Sequence, residues 1–218
     1  MKKFLLANAL HFKKRSFVVT FSVAVFMLAA ACIINFYAGT YATENASSSV
    51  TDIVLSNIRI YDVDGMFKYG TLAFWGFLIL LCLYDAKKFP FTVKTLSIFI
   101  VIRSIFISLT HLGPFPGQVS FAATDIISKF SFGGDLFFSG HTGIPFLFAL
   151  IFWETKKLRY LFIASSLFFG TIVLLGHFHY SIDVLAAFFI TYTIYHIATI
   201  FFKDDLKMFI EDKTKFLD

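Results

Sequence analysis

Four side chains in or beside strongly apolar segments carry the chemistry of this chain: Arg103, His141, His179 and Asp183. A charged group at the centre of a bilayer-spanning helix costs about 2.5–3.5 kcal/mol on insertion scales, so it is a functional candidate by default. These types together fit phosphoryl transfer. His179 and Asp183 are four residues apart, so on a helix that starts near residue 180 they lie one turn apart on one face. The carboxylate then engages one ring nitrogen and leaves the other as a lone-pair nucleophile or base. His141 lies in Ser139-Gly140-His141-Thr142, just before a long apolar run. Ser139 can cap the helix and Gly140 lets a ligand approach the backbone, where free amides and the positive helix end favour an anion. Pro145 cannot donate to the carbonyl of His141, which predicts a late helix start or an early kink. Arg103 supplies a planar, permanently charged guanidinium suited to phosphate oxygens, on a stem able to snorkel outward. The bland alternatives are a structural His179–Asp183 pair, a satisfied polar His141, and an Arg103 paired with Asp183 or Asp135. His177 cannot share a helical face with His179, and it lies six residues from Asp183, so a packing or secondary polar role is expected rather than metal binding.

The elements that position these groups follow from hydropathy. The chain has 218 residues, 58% hydrophobic and only 15% charged, with 32 Phe, which excludes an ordinary soluble domain. A spanning helix needs about 20 largely apolar residues, and six stretches approach this: 17–37, 69–84, 91–112, 136–153, 160–177 and 181–202. Basic residues gather on one side of them: Lys2, Lys3, Lys13–Arg15, Lys87, Lys88, Lys94, Lys156, Lys157, Arg159, Lys203, Lys207, Lys213 and Lys215. The positive-inside rule makes both termini cytoplasmic. His141, His179 and Asp183 then fall at one depth on the outer side, while His11 and His196 fall at the opposite end and are excluded. The expectation is an all-α integral membrane protein: a single six-helix transmembrane bundle, one domain over 1–218, with a catalytic core at about 69–202.

The net charge of +5 is accounted for by cytoplasmic anchoring and calls for no nucleic acid. The first apolar run continues past Cys32, longer than the 7–15-residue core of a signal peptide, so an uncleaved first helix is expected. Cys32 and Cys82 fall at different depths, which argues against a disulfide. The longer outer connections, about 38–68 and 113–135, are the places for function. Within the first, residues 53–60 read as an interfacial amphipathic segment or as a packed loop.

The run from Gly134 to Thr142 (GDLFFSGHT) with the run from His177 to Asp183 (HFHYSID) resembles the sphingomyelin synthase branch of the type 2 phosphatidic acid phosphatase superfamily. Arg103 with Thr110, Pro114 and Pro116 is similar to a further motif of that branch. The resemblance implies a double displacement on the outer or lumenal face. His179 attacks phosphorus, Asp183 orients it, His141 protonates the departing alcohol and later activates the incoming one, and Arg103, Ser139, Gly140 and Asp135 hold the phosphate. It implies no metal and no cofactor. The partners implied are a phospholipid donor and a lipid-alcohol acceptor, ceramide or diacylglycerol, in a plasma membrane with the site facing outward. The phosphatase branch carries an arginine six residues before the second histidine, and here that place is Val173, which favours transfer. Phe178 stands where an acidic residue occurs in some members, and the Arg103 to Pro114 spacing is one residue longer. Two alternatives stay open: a lipid phosphate phosphatase using water at the same residues, and a non-catalytic lipid-binding membrane protein.

Overall fold

A computed structural model describes residues 8–116 and 136–210. Among these residues the regular structure is helical. Seven helices matter to the site: α1 (Arg15–Glu44), α2 (Asp64–Tyr84), α3 (Phe89–Leu109), α4 (Gly140–Ile151), α5 (Lys156–Leu175), α6 (Ser181–Phe201) and α7 (Lys203–Ile210). Five segments are long and apolar enough to cross a membrane: α1, α2, α3 with the short turn before it, α5 and α6. Their apolar residues face outward as well as inward, with Phe26 74% and Phe189 69% exposed, as expected where the surrounding solvent is lipid. The apolar surface and long helices mark an integral membrane protein.

The fourth expected span is shorter than its hydropathy suggests. α4 has 12 residues, about 18 Å of helix against a hydrocarbon core of about 30 Å. Its start is late because Ser139, not an earlier residue, is the N-cap, and its side chain accepts from Thr142 N at 3.3 Å. Residues 136–139 precede it as buried, non-helical backbone, with Leu136, Phe138 and Ser139 at 2%, 0% and 0% exposure. α3 begins with Pro90 in its first turn, where the missing N–H costs nothing.

α1 runs along α3, and α4 packs between α5 and α6. The main core joins Phe91, Phe99, Phe138, Leu147, Phe148, Phe162 and Ile194. Gly143 permits the close crossing of α4, since a Cβ there would lie 2.8 Å from the Phe99 ring and 2.9 Å from Thr191 Oγ1. Ser166 Oγ donates to the Thr142 carbonyl at 2.7 Å and sets the register of α4 on α5.

At the end of the bundle away from the histidines, Lys94 Nζ donates to Asp205 Oδ2 (2.6 Å) and to Thr20 Oγ1 (2.6 Å), while Thr20 Oγ1 donates to Asp205 Oδ1 (2.7 Å). This buried triad ties α1, α3 and α7 together. Cys32 and Cys82 are both unbridged.

The connection between α1 and α2 is a packed loop rather than an amphipathic helix, with one short turn at Leu55–Asn57. Asp52 explains why. Its Oδ1 accepts from Val54 N and Leu55 N, and its Oδ2 accepts from Ser181 N at 2.7 Å, so the loop is folded on its own carboxylate and seated on the start of α6. Ser47 further bonds to the His111 carbonyl, Gly113 N donates to Ser48 O, and Tyr61 N donates to Leu175 O. The ends of α1, α3 and α5 and the starts of α4 and α6 thereby meet at one end of the bundle.

Candidate active site

The backbone before α4 is fixed first. Thr110 Oγ1, at the end of α3, donates to the Leu136 carbonyl at 3.1 Å, and Ser139 N donates to the Asp183 carbonyl at 3.1 Å. Arg103 Nε donates to the Phe138 carbonyl at 2.9 Å. Arg103 is therefore buried, 8% exposed, and does not snorkel outward. It lies six residues from the end of α3, and a Cβ on Gly140 would sit 3.3 Å from its Nε. Glycine at 140 lets the guanidinium press onto the first turn of α4, whose leading amides point the same way.

Opposite this turn, His179 Nδ1 and Asp183 Oδ2 are 3.1 Å apart, with Asp183 fully buried. α6 begins at Ser181, so His179 precedes the helix and reaches back to its first turn. Asp183 Oδ2 also accepts from Tyr180 N at 3.2 Å. Among the described residues, Asp183 Oδ1 has no hydrogen-bond partner. With Nδ1–H given to the carboxylate, Nε2 keeps its lone pair for an electrophile.

His141, in the first turn of α4, lies within electrostatic reach of both His179 and Arg103. Its ring packs on Phe67 at 4.4 Å and near Phe169 at 6.3 Å, so apolar aromatic walls limit its orientation. Arg103, Ser139, Gly140, His141, His179 and Asp183 are thus brought together. Asp135 lies outside the described residues.

Residues 133–200 match the family model described as PAP2 superfamily C-terminal. The match contains both histidines and Asp183 and supports this superfamily, whose members suggest a lipid phosphatase or phosphotransferase. No curated protein and no solved structure matches the chain.

Within the matched segment, Val173 is buried, and its carbonyl accepts from Phe178 N (2.8 Å) and His179 N (3.4 Å), so the turn after α5 closes on the end of that helix. His177 takes a left-handed conformation in that turn (φ 55°) and stacks its ring edge-on against Phe115 at 5.2 Å, the packing role expected for it. His196 bonds its Nδ1 to the Tyr192 carbonyl, well along α6 from the site.

A cavity of about 350 Å³ opens from Arg103, Gly140 and His141 into an apolar space walled by Phe74, Phe99, Ile100, Ile144 and Phe169. A charged end leading into an apolar chamber suits a phosphorylated lipid. Sequence reasoning missed the groups that hold the site in place. Asp52 and Tyr180, whose hydroxyl donates to the Gly113 carbonyl at 2.8 Å, act through backbone partners that leave no side-chain pattern to read.

Proposed function

We propose that this protein is a membrane-embedded lipid phosphotransferase, which moves a phospho-head group from a phospholipid to a lipid alcohol through a phosphohistidine. The observation that carries the reading is the buried His179–Asp183 pair set against His141 and Arg103 at one end of the bundle. His179 Nε2 attacks phosphorus as the bond to the lipid oxygen breaks, and His141 delivers a proton to that oxygen. In the second half His141 takes the proton of the incoming alcohol, its oxygen attacks phosphorus, and the nitrogen–phosphorus bond breaks to restore His179. Proton transfer of this kind contributes about 10²–10⁴-fold. Arg103 and the amides at the start of α4 stabilise charge on the phosphoryl oxygens.

Packed Val173, where the resemblance places an arginine in the phosphatase branch, favours an alcohol acceptor over water. The lysine and arginine distribution supports six spans with cytoplasmic termini and a site that faces outward. The test is head-group transfer in liposomes containing mixed phospholipid donors with fluorescent ceramide and diacylglycerol. A new head-group-bearing fluorescent lipid, absent with His179→Ala, is the expected result. Release of phosphate or phospho-alcohol without a new lipid makes the enzyme a hydrolase.

A further inference from the structure

The cavity has polar groups in its wall that the transfer chemistry does not use. α1 contributes Cys32, Asn35 and Phe36 to the lining, and α2 contributes Thr71, Phe74 and Trp75. Both sets have i, i+3, i+4 spacing, so each helix turns one face to the cavity. A carboxamide within a lipid-facing helix is costly and needs a reason. Asn35 Oδ1 lies 3.5 Å from Ser104 Oγ, but that hydroxyl already donates to the Ile100 carbonyl at 2.8 Å. Among the described residues, no acceptor receives the Asn35 amide protons.

Thr71, like Thr92 and Thr191, has a buried Oγ1 without a hydrogen-bond partner among the described residues, and of the three it is the one in the cavity wall. The hydroxyls of Thr40, Thr43, Thr95, Ser97, Ser104 and Ser108 each donate to the carbonyl four residues back in their own helix. Thr71 Oγ1 is buried and has no such bond among the described residues. Leaving a buried hydroxyl unsatisfied is unfavourable unless a ligand meets it.

Both groups sit at a depth that means something. Asn35 touches Ser104, the neighbour of Arg103 on α3. Thr71 lies one helical turn, about 6 Å, beyond Phe67, whose ring packs on His141. In a phospholipid the acyl carbonyl carbon is roughly five covalent bonds from phosphorus, on the order of 6 Å at ordinary bond lengths. We propose that Asn35 and Thr71 form a subsite that donates hydrogen bonds to an acyl carbonyl of the substrate lipid. An ester of a glycerolipid and an amide of a sphingolipid share this group, whereas an ether lipid lacks it. The subsite rests on the lipid-substrate reading above and deepens it by naming what the cavity reads besides phosphate.

Trp75 in the cavity wall provides the measurement. The chain has two tryptophans, so Trp153→Phe leaves Trp75 as the single reporter, and His179→Ala prevents turnover. In detergent micelles this full-length double variant is titrated with three phospholipids of the same head group and chain length: diacyl, N-acyl sphingoid and dialkyl ether, each brominated in its chains. At least one carbonyl lipid is expected to quench Trp75 at about tenfold lower concentration than the ether lipid, the effect of one to two net hydrogen bonds. The tighter carbonyl lipid names the source. Adding Asn35→Leu and Thr71→Val is expected to bring the carbonyl lipids to the ether value and to leave the ether lipid unchanged, which also shows that the fold is intact. Equal quenching by all three lipids before those substitutions, or a common loss of all three after them, overturns the subsite. A carbonyl preference in a protein whose His179-intact form neither transfers nor releases a head group overturns the phosphotransferase reading and leaves the subsite standing.

Discussion

Asp52 caps the helix that carries Asp183: its Oδ2 accepts from Ser181 N at 2.7 Å across 129 residues of sequence. The carboxylate paired with His179 is therefore held in place through a loop distant in sequence. Burial pushes the Asp52 carboxyl upward, but the amides of Leu55, Ser181 and Val54 outweigh it and hold it below the ordinary carboxylate value. A group depressed in the folded state contributes stability above its unfolded pKa, and that contribution is lost as pH falls through the folded one. Asp52→Asn is expected to cost about 1 kcal/mol at neutral pH, the size of a lost cap. Thermal unfolding in detergent should show the gap between variant and wild type constant above about pH 5 and closing below about pH 4. A gap that persists unchanged at pH 3 would show that the charge of Asp52 is irrelevant.

Arg103→Lys keeps the charge but changes the geometry. The guanidinium donates from Nε to the Phe138 carbonyl and carries its two terminal nitrogens on the far side of the same plane, whereas a single ammonium cannot divide itself in this way. A loss of at least about tenfold in turnover is expected, with unfolding temperature nearly unchanged. Full activity in the lysine variant would mean that positive charge alone suffices.

Asp183→Asn and His141→Ala should separate in trapping experiments with head-group-labelled phospholipid. An amide at 183 no longer stabilises the charged ring, and labelling of His179 should fall with turnover, by about 10²-fold or more. His141→Ala removes the proton carrier from both halves, so a leaving group of low pKa should restore labelling without restoring transfer to an alcohol. Restoration of both would remove His141 from the second half.

The Lys94–Asp205 pair is a test of architecture at the opposite end. Its side chains are 9% and 12% exposed, so Asp205→Leu alone leaves a buried ammonium without its carboxylate and should cost about 3 kcal/mol, whereas Lys94→Met together with Asp205→Leu should cost much less. Unfolding temperatures of the two single variants and the double variant decide it, and additive losses would show no coupling.

Periodicity and composition made much of this legible. The i, i+4 spacing of His179 and Asp183 foretold their contact, and Ser139 announced the cap of α4 because serine competes well for a leading amide. Hydropathy located the helices but overran α4, since it weighs side chains and does not see a cap that begins a helix late. Arg103 was harder to place for a related reason: one of its partners is the carbonyl of Phe138, which any residue at that position would offer. Asn35 had a signal that went unread, a lone amide in the apolar run of 17–37. Asp52 had none, because its meaning depends on a backbone amide at the far side of the fold.

The shortness of α4 sets how far its first turn stands from the end of the bundle. Thr142 is bonded to Ser166 and packs beside Gly170, which places it about 8–14 Å short of the end of α5 at Leu175. The turn carrying His179 is tied to the end of α5 through the Val173 carbonyl. The first turn of α4 thus begins well short of the end of α5, and the non-helical backbone before it is tolerated because protein surrounds it. Under the proposed function a phospholipid would descend to that turn and shed hydration on the way. On that reading, lengthening the acyl chains of the host bilayer raises the distance of descent and is expected to slow turnover without altering a contact in the site.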